Sequence, residues 1–221
     1  MTEMETGFRR SAPVVVGGAV AAALAVAKGM SFAYALADSD STFWANLLLG
    51  VDGLLFLAFA ALAASMLLHR RAGLSRVRVP AVAVLVLQPM YFLVYTAKYI
   101  ALFIHYPAPL AWFSIFEYYG VPFLLGLLLL ALFARAVASP ARRPGFLVPA
   151  AAIAFAYSLL LNVYTLVVSL SYWTSYTQGF KFFAQMAFYA FHAFVLLPVL
   201  LLAVSLAATP VEPPPGSAIL G

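Results

Sequence analysis

Several absences narrow the field before any pattern is sought. The chain has no cysteine, so disulfides, thiolate metal sites and thiol nucleophiles are excluded. Charged residues make up 9 % of it, against about 25 % in ordinary soluble domains, which excludes a water-soluble globule. Strands alternating polar and apolar residues are missing, which argues against a membrane barrel. No G-x-S-x-G, Walker or dinucleotide-binding signature occurs, and no His-x-x-x-His or Glu-x-x-His spacing sets two metal ligands on one helix. There are only three histidines: His69 falls in a basic loop and His105 at a turn, leaving His192 alone inside an apolar run, too few for a bis-histidine haem. The sequence therefore supplies no catalytic constellation, no metal site and no cofactor site.

What is present is apolar. Hydrophobic residues are 66 % of the chain and the mean hydropathy is +1.03. Runs long enough to cross a ~30 Å hydrocarbon core recur, and in lipid such runs must be helical, because each backbone group has to be bonded within its own segment. The reading is an all-α polytopic bundle of six transmembrane helices, at about 12–37, 43–68, 79–104, 110–136, 146–170 and 180–208. Short connections pair them as three antiparallel hairpins. A polar segment, 1–11, precedes them, and a Pro-rich tail, 209–221, follows.

The net charge of +5 does not indicate nucleic acid, because its arginines sit in short loops between spans. Arg9, Arg10, Arg70, Arg71, Arg76, Arg78, Arg135, Arg142 and Arg143 all fall on one side, and Lys181 stands near the other. Trp44, Trp112 and Trp173 mark the opposite boundary. Both signals put the N-terminus and C-terminus in the cytoplasm of a multi-pass cell-membrane protein. A competing reading takes Arg9-Arg10, the first apolar run and Ala35-Leu36-Ala37 as a cleavable signal peptide; Lys28 and the length of the run speak against it.

Within the spans, Gly17, Ala21 and Ala25 form a stripe of small residues suited to close helix approach. Pro89, Pro122 and Pro198 are expected to act as ordinary helix irregularities. The organising stretch is Gln88–Tyr119, two apolar helices around His105-Tyr106-Pro107-Ala108-Pro109, with Lys98 before the turn and Glu117 after it. At ~1.5 Å per residue both lie roughly 10 Å below one surface. Lys28 and Asp52 match in the same way on the first two spans, and Asn162 and His192 extend the polar layer on the fifth and sixth. A central charge costs about 2.5–3.5 kcal/mol on insertion scales, so two pairs are expected, Lys28 with Asp52 and Lys98 with Glu117. Gln88, Tyr91, Tyr95, Lys98 and Tyr99 recur at helical spacing, as do Gln185, Tyr189 and His192.

These residues point to a small-solute or ion transport or binding component, with a polar pocket in the outer half of the bilayer. Lys28, Asp52, Tyr95, Lys98, Glu117, Asn162, Tyr189 and His192 are its candidate binding residues. The alternative is a non-catalytic subunit of a larger respiratory or secretion assembly, in which the charges are structural. An intramembrane enzyme ranks third. The partners implied are the lipid bilayer, a small solute or ion, and neighbouring membrane subunits or a second copy of the chain, with no nucleic acid.

Overall fold

In the computed structural model the described residues are 12–37, 42–68, 74–104, 115–138, 145–173 and 179–208. The N-terminal segment, the tail, the Ala37–Asp38 cleavage position, the His105–Pro109 turn and Trp112 lie outside these residues or at their edge, as do the side chains of Trp173, Lys181 and Gln185. The helices are α1 (Ala12–Ala37), α2 (Phe43–Leu67), α3 (Leu74–Phe103), α4 (Val121–Ala138), α5 (Leu147–Trp173), α6 (Gly179–Phe194) and α7 (Leu197–Ala208). A π-helical turn, Phe116–Gly120, leads into α4. No strand occurs among the described residues. Among the described residues, six helical stretches are long and apolar enough to cross a membrane, the last of them running through α6 into α7.

Local chemistry explains where the elements begin and bend. Thr42 caps α2, its hydroxyl accepting the Ala45 amide at 3.3 Å. Helix α3 begins at Leu74, earlier than the expected Val79, so part of the basic segment is helical. Helix α5 likewise runs on to Trp173, through residues read as loop. The sixth span breaks at Val195–Leu196. Pro198 has no amide hydrogen for the Phe194 carbonyl one turn back, so the α-helical ladder cannot run through that point.

The spans pack in chain order around a ring. α1 packs on α2, α2 on α3, α3 on the π turn and α4, α4 on α5, and α5 on α6 and α7, which return to α1. On α1 the buried stripe Val14, Gly17, Gly18, Ala21, Leu24, Ala25 continues into Lys28. On α2 the stripe Leu48, Val51, Leu55, Phe59, Leu62 includes Asp52. Spacing of this kind puts both ionisable residues on protein-facing sides. Large apolar side chains, among them Leu54, Leu57, Leu124, Ile153, Leu160 and Val167, cover the exterior, as a lipid-facing surface requires.

Close approach depends on glycine at a few points. A Cβ on Gly18 would stand 2.8 Å from Leu67 Cγ, and one on Gly126 would stand 2.6 Å from Pro89 Cγ. The Pro89 ring cannot rotate away, so Gly126 sets the separation of α3 and α4. Gly126→Ala is therefore expected to destabilise the protein by about 1–3 kcal/mol through overpacking. Gly50→Ala, where nothing lies within 4 Å, should be neutral or mildly stabilising. Thermal unfolding of both variants in nanodiscs checks the contrast.

A candidate tyrosine-lined binding cavity

The first polar centre lies between α1 and α2. Lys28 Nζ stands 2.6 Å from Asp52 Oδ1, a salt-bridge distance. Lys28 is 1 % exposed and Asp52 9 %, so little water reaches either. The same ammonium lies 4.5 Å from the Tyr91 ring centroid and 4.8 Å from that of Phe191, on α3 and α6. A cation over aromatic faces gains a further electrostatic attraction, stronger where water is excluded. Phe191 in turn packs edge-to-face on Phe59 of α2, at 5.4 Å. Three neighbouring helices thus meet around one buried lysine.

Tyr91 connects this centre to a cavity. Its hydroxyl is 3.2 Å from His192 Nε2, and both side chains are almost wholly buried. The cavity has a volume of about 270 Å³. Tyr91, Phe92, Tyr95 and Tyr99 of α3 line it, with Tyr118 and Tyr119 of the π turn and Pro122 of α4. Ser158, Leu161, Asn162 and Thr165 of α5, and Phe188, Tyr189 and His192 of α6, complete the wall.

The π turn decides which side chains face inward. Val121 donates its amide to the Phe116 carbonyl, five residues back. In that register the Glu117 carbonyl would need the amide of residue 122, which is proline and has none. Tyr157 of α5 supplies the missing donor, its hydroxyl reaching the Glu117 carbonyl at 2.7 Å. Tyr119 is thereby turned toward α3, where it stacks on Tyr95 (centroids 5.4 Å, planes 2° apart) and Tyr99 (5.2 Å, 26°).

On α5, Ser158, Asn162 and Thr165 each donate one side-chain hydrogen to a backbone carbonyl. Ser158 donates to the His192 carbonyl, Asn162 Nδ2 to the Ser158 carbonyl at 2.8 Å, and Thr165 to the Leu161 carbonyl at 2.8 Å. Ser158 is therefore committed to a backbone oxygen rather than to the His192 ring, and a serine–histidine nucleophile pair is not assembled. Among the described residues no group of three His, Asp or Glu side chains could hold a metal ion.

Of the eight candidate residues, the structure brings Tyr95, Asn162, Tyr189 and His192 to the cavity wall. Lys28 and Asp52 lie together behind Tyr91, outside the lining. The expected contact between Lys98 and Glu117 is not formed among the described residues. Lys98 Nζ instead lies over the Tyr95 ring, 5.9 Å from its centroid. The turn accounts for this: with Tyr119 stacked on Tyr95 of α3, Glu117 two residues earlier is roughly half a turn away around the axis. Tyr91 and Tyr99 were on the α3 stripe visible in the sequence, and Ser158, Asn162 and Thr165 share an i, i+4, i+7 face that helical spacing would have revealed. Tyr118 and Tyr119 gave no such signal, because the π turn breaks α-helical register.

Compared with protein-family models, curated proteins and solved structures, the chain matches none of them. The functional reading therefore stands on this geometry. Removing one member of the Lys28–Asp52 contact should leave the other buried without a counter-charge. Asp52→Ala is expected to cost about 3–5 kcal/mol, and Lys28→Met with Asp52→Leu together much less. A double-mutant cycle in thermal unfolding measures this; summed single losses equal to the double loss would show no coupling.

Proposed function

We propose that this protein captures or transports a small solute, held in the tyrosine-lined cavity. The observation that carries the reading is the convergence of polar side chains from α3, α5 and α6, with the π turn, on one cavity of about 270 Å³. Small-molecule sites commonly take this form, a mostly apolar cavity with a few placed polar groups. Tyr95, Asn162, Tyr189 and His192 contact the solute in this reading. Lys28 and Asp52 act one layer back, holding the Tyr91 ring against His192.

The proposed setting is a cell membrane, with the six crossings paired as three hairpins and both termini in the cytoplasm. Arg78, at the start of α3, supports that orientation. In that orientation the cavity residues of α3, from Tyr91 to Tyr99, lie toward its outer end, which supports a pocket in the outer half. A second reading, a structural subunit of a larger membrane assembly, draws support from the Lys28–Asp52 contact, which lies outside the cavity lining.

Purified protein in nanodiscs, melted in the presence of neutral, cationic and anionic small solutes, separates the two. For capture, at least one solute raises the melting temperature, by about 5 °C or more at a hundredfold excess over Kd. Thr165→Phe, which fills the cavity, removes the shift while far-UV circular dichroism stays unchanged. A chain that responds to no solute and purifies in fixed ratio with other membrane proteins would overturn the capture reading. Reporter fusions at both ends are expected to read as cytoplasmic; a reporter active outside would overturn the orientation.

A further inference from the structure

We infer that the solute is a small, flat, uncharged ring compound carrying N–H or O–H donors along one edge, a heteroaromatic of one or two rings. This rests on the capture reading above and names the ligand class for that site.

Charge is the first discriminator. None of the lining residues is Lys, Arg, Asp or Glu. An ionic ligand would leave water for a wall with no counter-charge, at a desolvation cost that nothing there repays. A lining this rich in tyrosine suggests, at first sight, a cage for an organic cation. Two of its rings are already engaged by the protein's own cations, however: Lys28 over Tyr91 and Lys98 over Tyr95. A cationic ligand at those rings would meet like charge. A neutral ligand carries no such penalty.

Shape is the second. Tyr95, Tyr99 and Tyr119 lie in near-parallel arrangement, with planes 2° to 27° apart and centroids 5.2 to 6.2 Å apart. Offset stacking of this kind extends favourably to another flat ring. A bulky aliphatic ligand would use the area of these rings and gain nothing from their alignment. The volume of about 270 Å³ falls just below the usual range of small-molecule sites, roughly 300 to 1,000 Å³, and so suits a small ligand.

Hydrogen-bond polarity is the third, and it fixes the chemistry of the edge. Ser158 and Thr165 each have a single hydroxyl hydrogen, and each spends it on a backbone carbonyl. Asn162 commits an amide hydrogen in the same way. Ser158 Oγ and Thr165 Oγ1 are left to present lone pairs, and Asn162 offers Oδ1 beside its second amide hydrogen. These residues share one helix face over a rise of roughly 10 Å. A ligand lying against them satisfies them by donating. A ligand edge made only of acceptors would oppose oxygen to oxygen at Ser158 and Thr165.

Benzimidazole tests this directly, with 1-methylbenzimidazole as the same ring without its donor, tetramethylammonium as a pure cation and cyclohexanol as a donor without a flat face. Binding is measured by titration into protein-loaded nanodiscs, with empty nanodiscs subtracted. Benzimidazole is expected to bind, with its methylated form weaker by about tenfold or more. In the Asn162→Leu, Thr165→Val double variant that ratio should fall toward one. Tyr119→Leu should weaken both ring compounds by a similar factor and leave the ratio intact. Equal binding of the two benzimidazoles, stronger binding of tetramethylammonium or cyclohexanol, or no binding of benzimidazole at millimolar concentration to folded protein would each overturn the ligand class. The capture reading falls separately, only if no solute of any class gives a Thr165-dependent thermal shift.

Discussion

A backbone carbonyl inside a membrane must find a donor, and proline withholds one. Much of the architecture around the cavity follows from that single constraint. Pro122 cannot donate to the Glu117 carbonyl, so Tyr157 reaches across from α5 to satisfy it. That cross-link ties the π turn to α5 at the depth where the turn brings Tyr119 onto Tyr95 and Tyr99. Pro198 interrupts the sixth span just past His192, and a hydroxyl from α5, that of Ser158, bonds the His192 carbonyl. Pro89 presses on Gly126 and fixes how closely α3 and α4 approach. Of these three prolines, which looked like routine irregularities, Pro122 lines the cavity itself.

The buried charges have a related role. Lys28 and Asp52 sit on the protein-facing stripes of their helices, and the lysine lies over the Tyr91 ring. Tyr91 then reaches His192. Polar groups at the α1–α2 contact are thereby joined to the cavity wall through one aromatic side chain. Desolvating such groups is costly, and bringing the opposite charges together offsets part of that cost. The ring of helices closes around this feature: α1 packs on both α2 and the sixth span.

Together these features give two zones with different chemistry. The α1–α2 side is dry, ionic and tightly packed by small residues. The α3–α5 side, with the π turn, is aromatic, hydroxyl-rich and hollow. Rigid support on one side allows the other to keep an open volume, since a cavity survives only where the surrounding helices cannot collapse into it.

The amino-acid sequence by itself determined the membrane-spanning class, because composition and run length leave no soluble or barrel alternative. It also set Tyr95, Tyr189 and His192 at helical spacings that share a face, since periodicity reports a face wherever the helix is regular, whereas Asn162 was read from its depth alone. It could not place Tyr118 and Tyr119, or keep Lys98 from Glu117, because a π turn changes the angle per residue and nothing local announces the change. Matching depth was legible; direction around the helix axis was not. Which polar residues line the hollow, and which stand behind it, was decided only by tertiary structure: by Pro122 forcing the wider turn, by Tyr157 bonding the carbonyl that turn exposes, and by the ring of helices that brings α3, α5 and the sixth span to one volume.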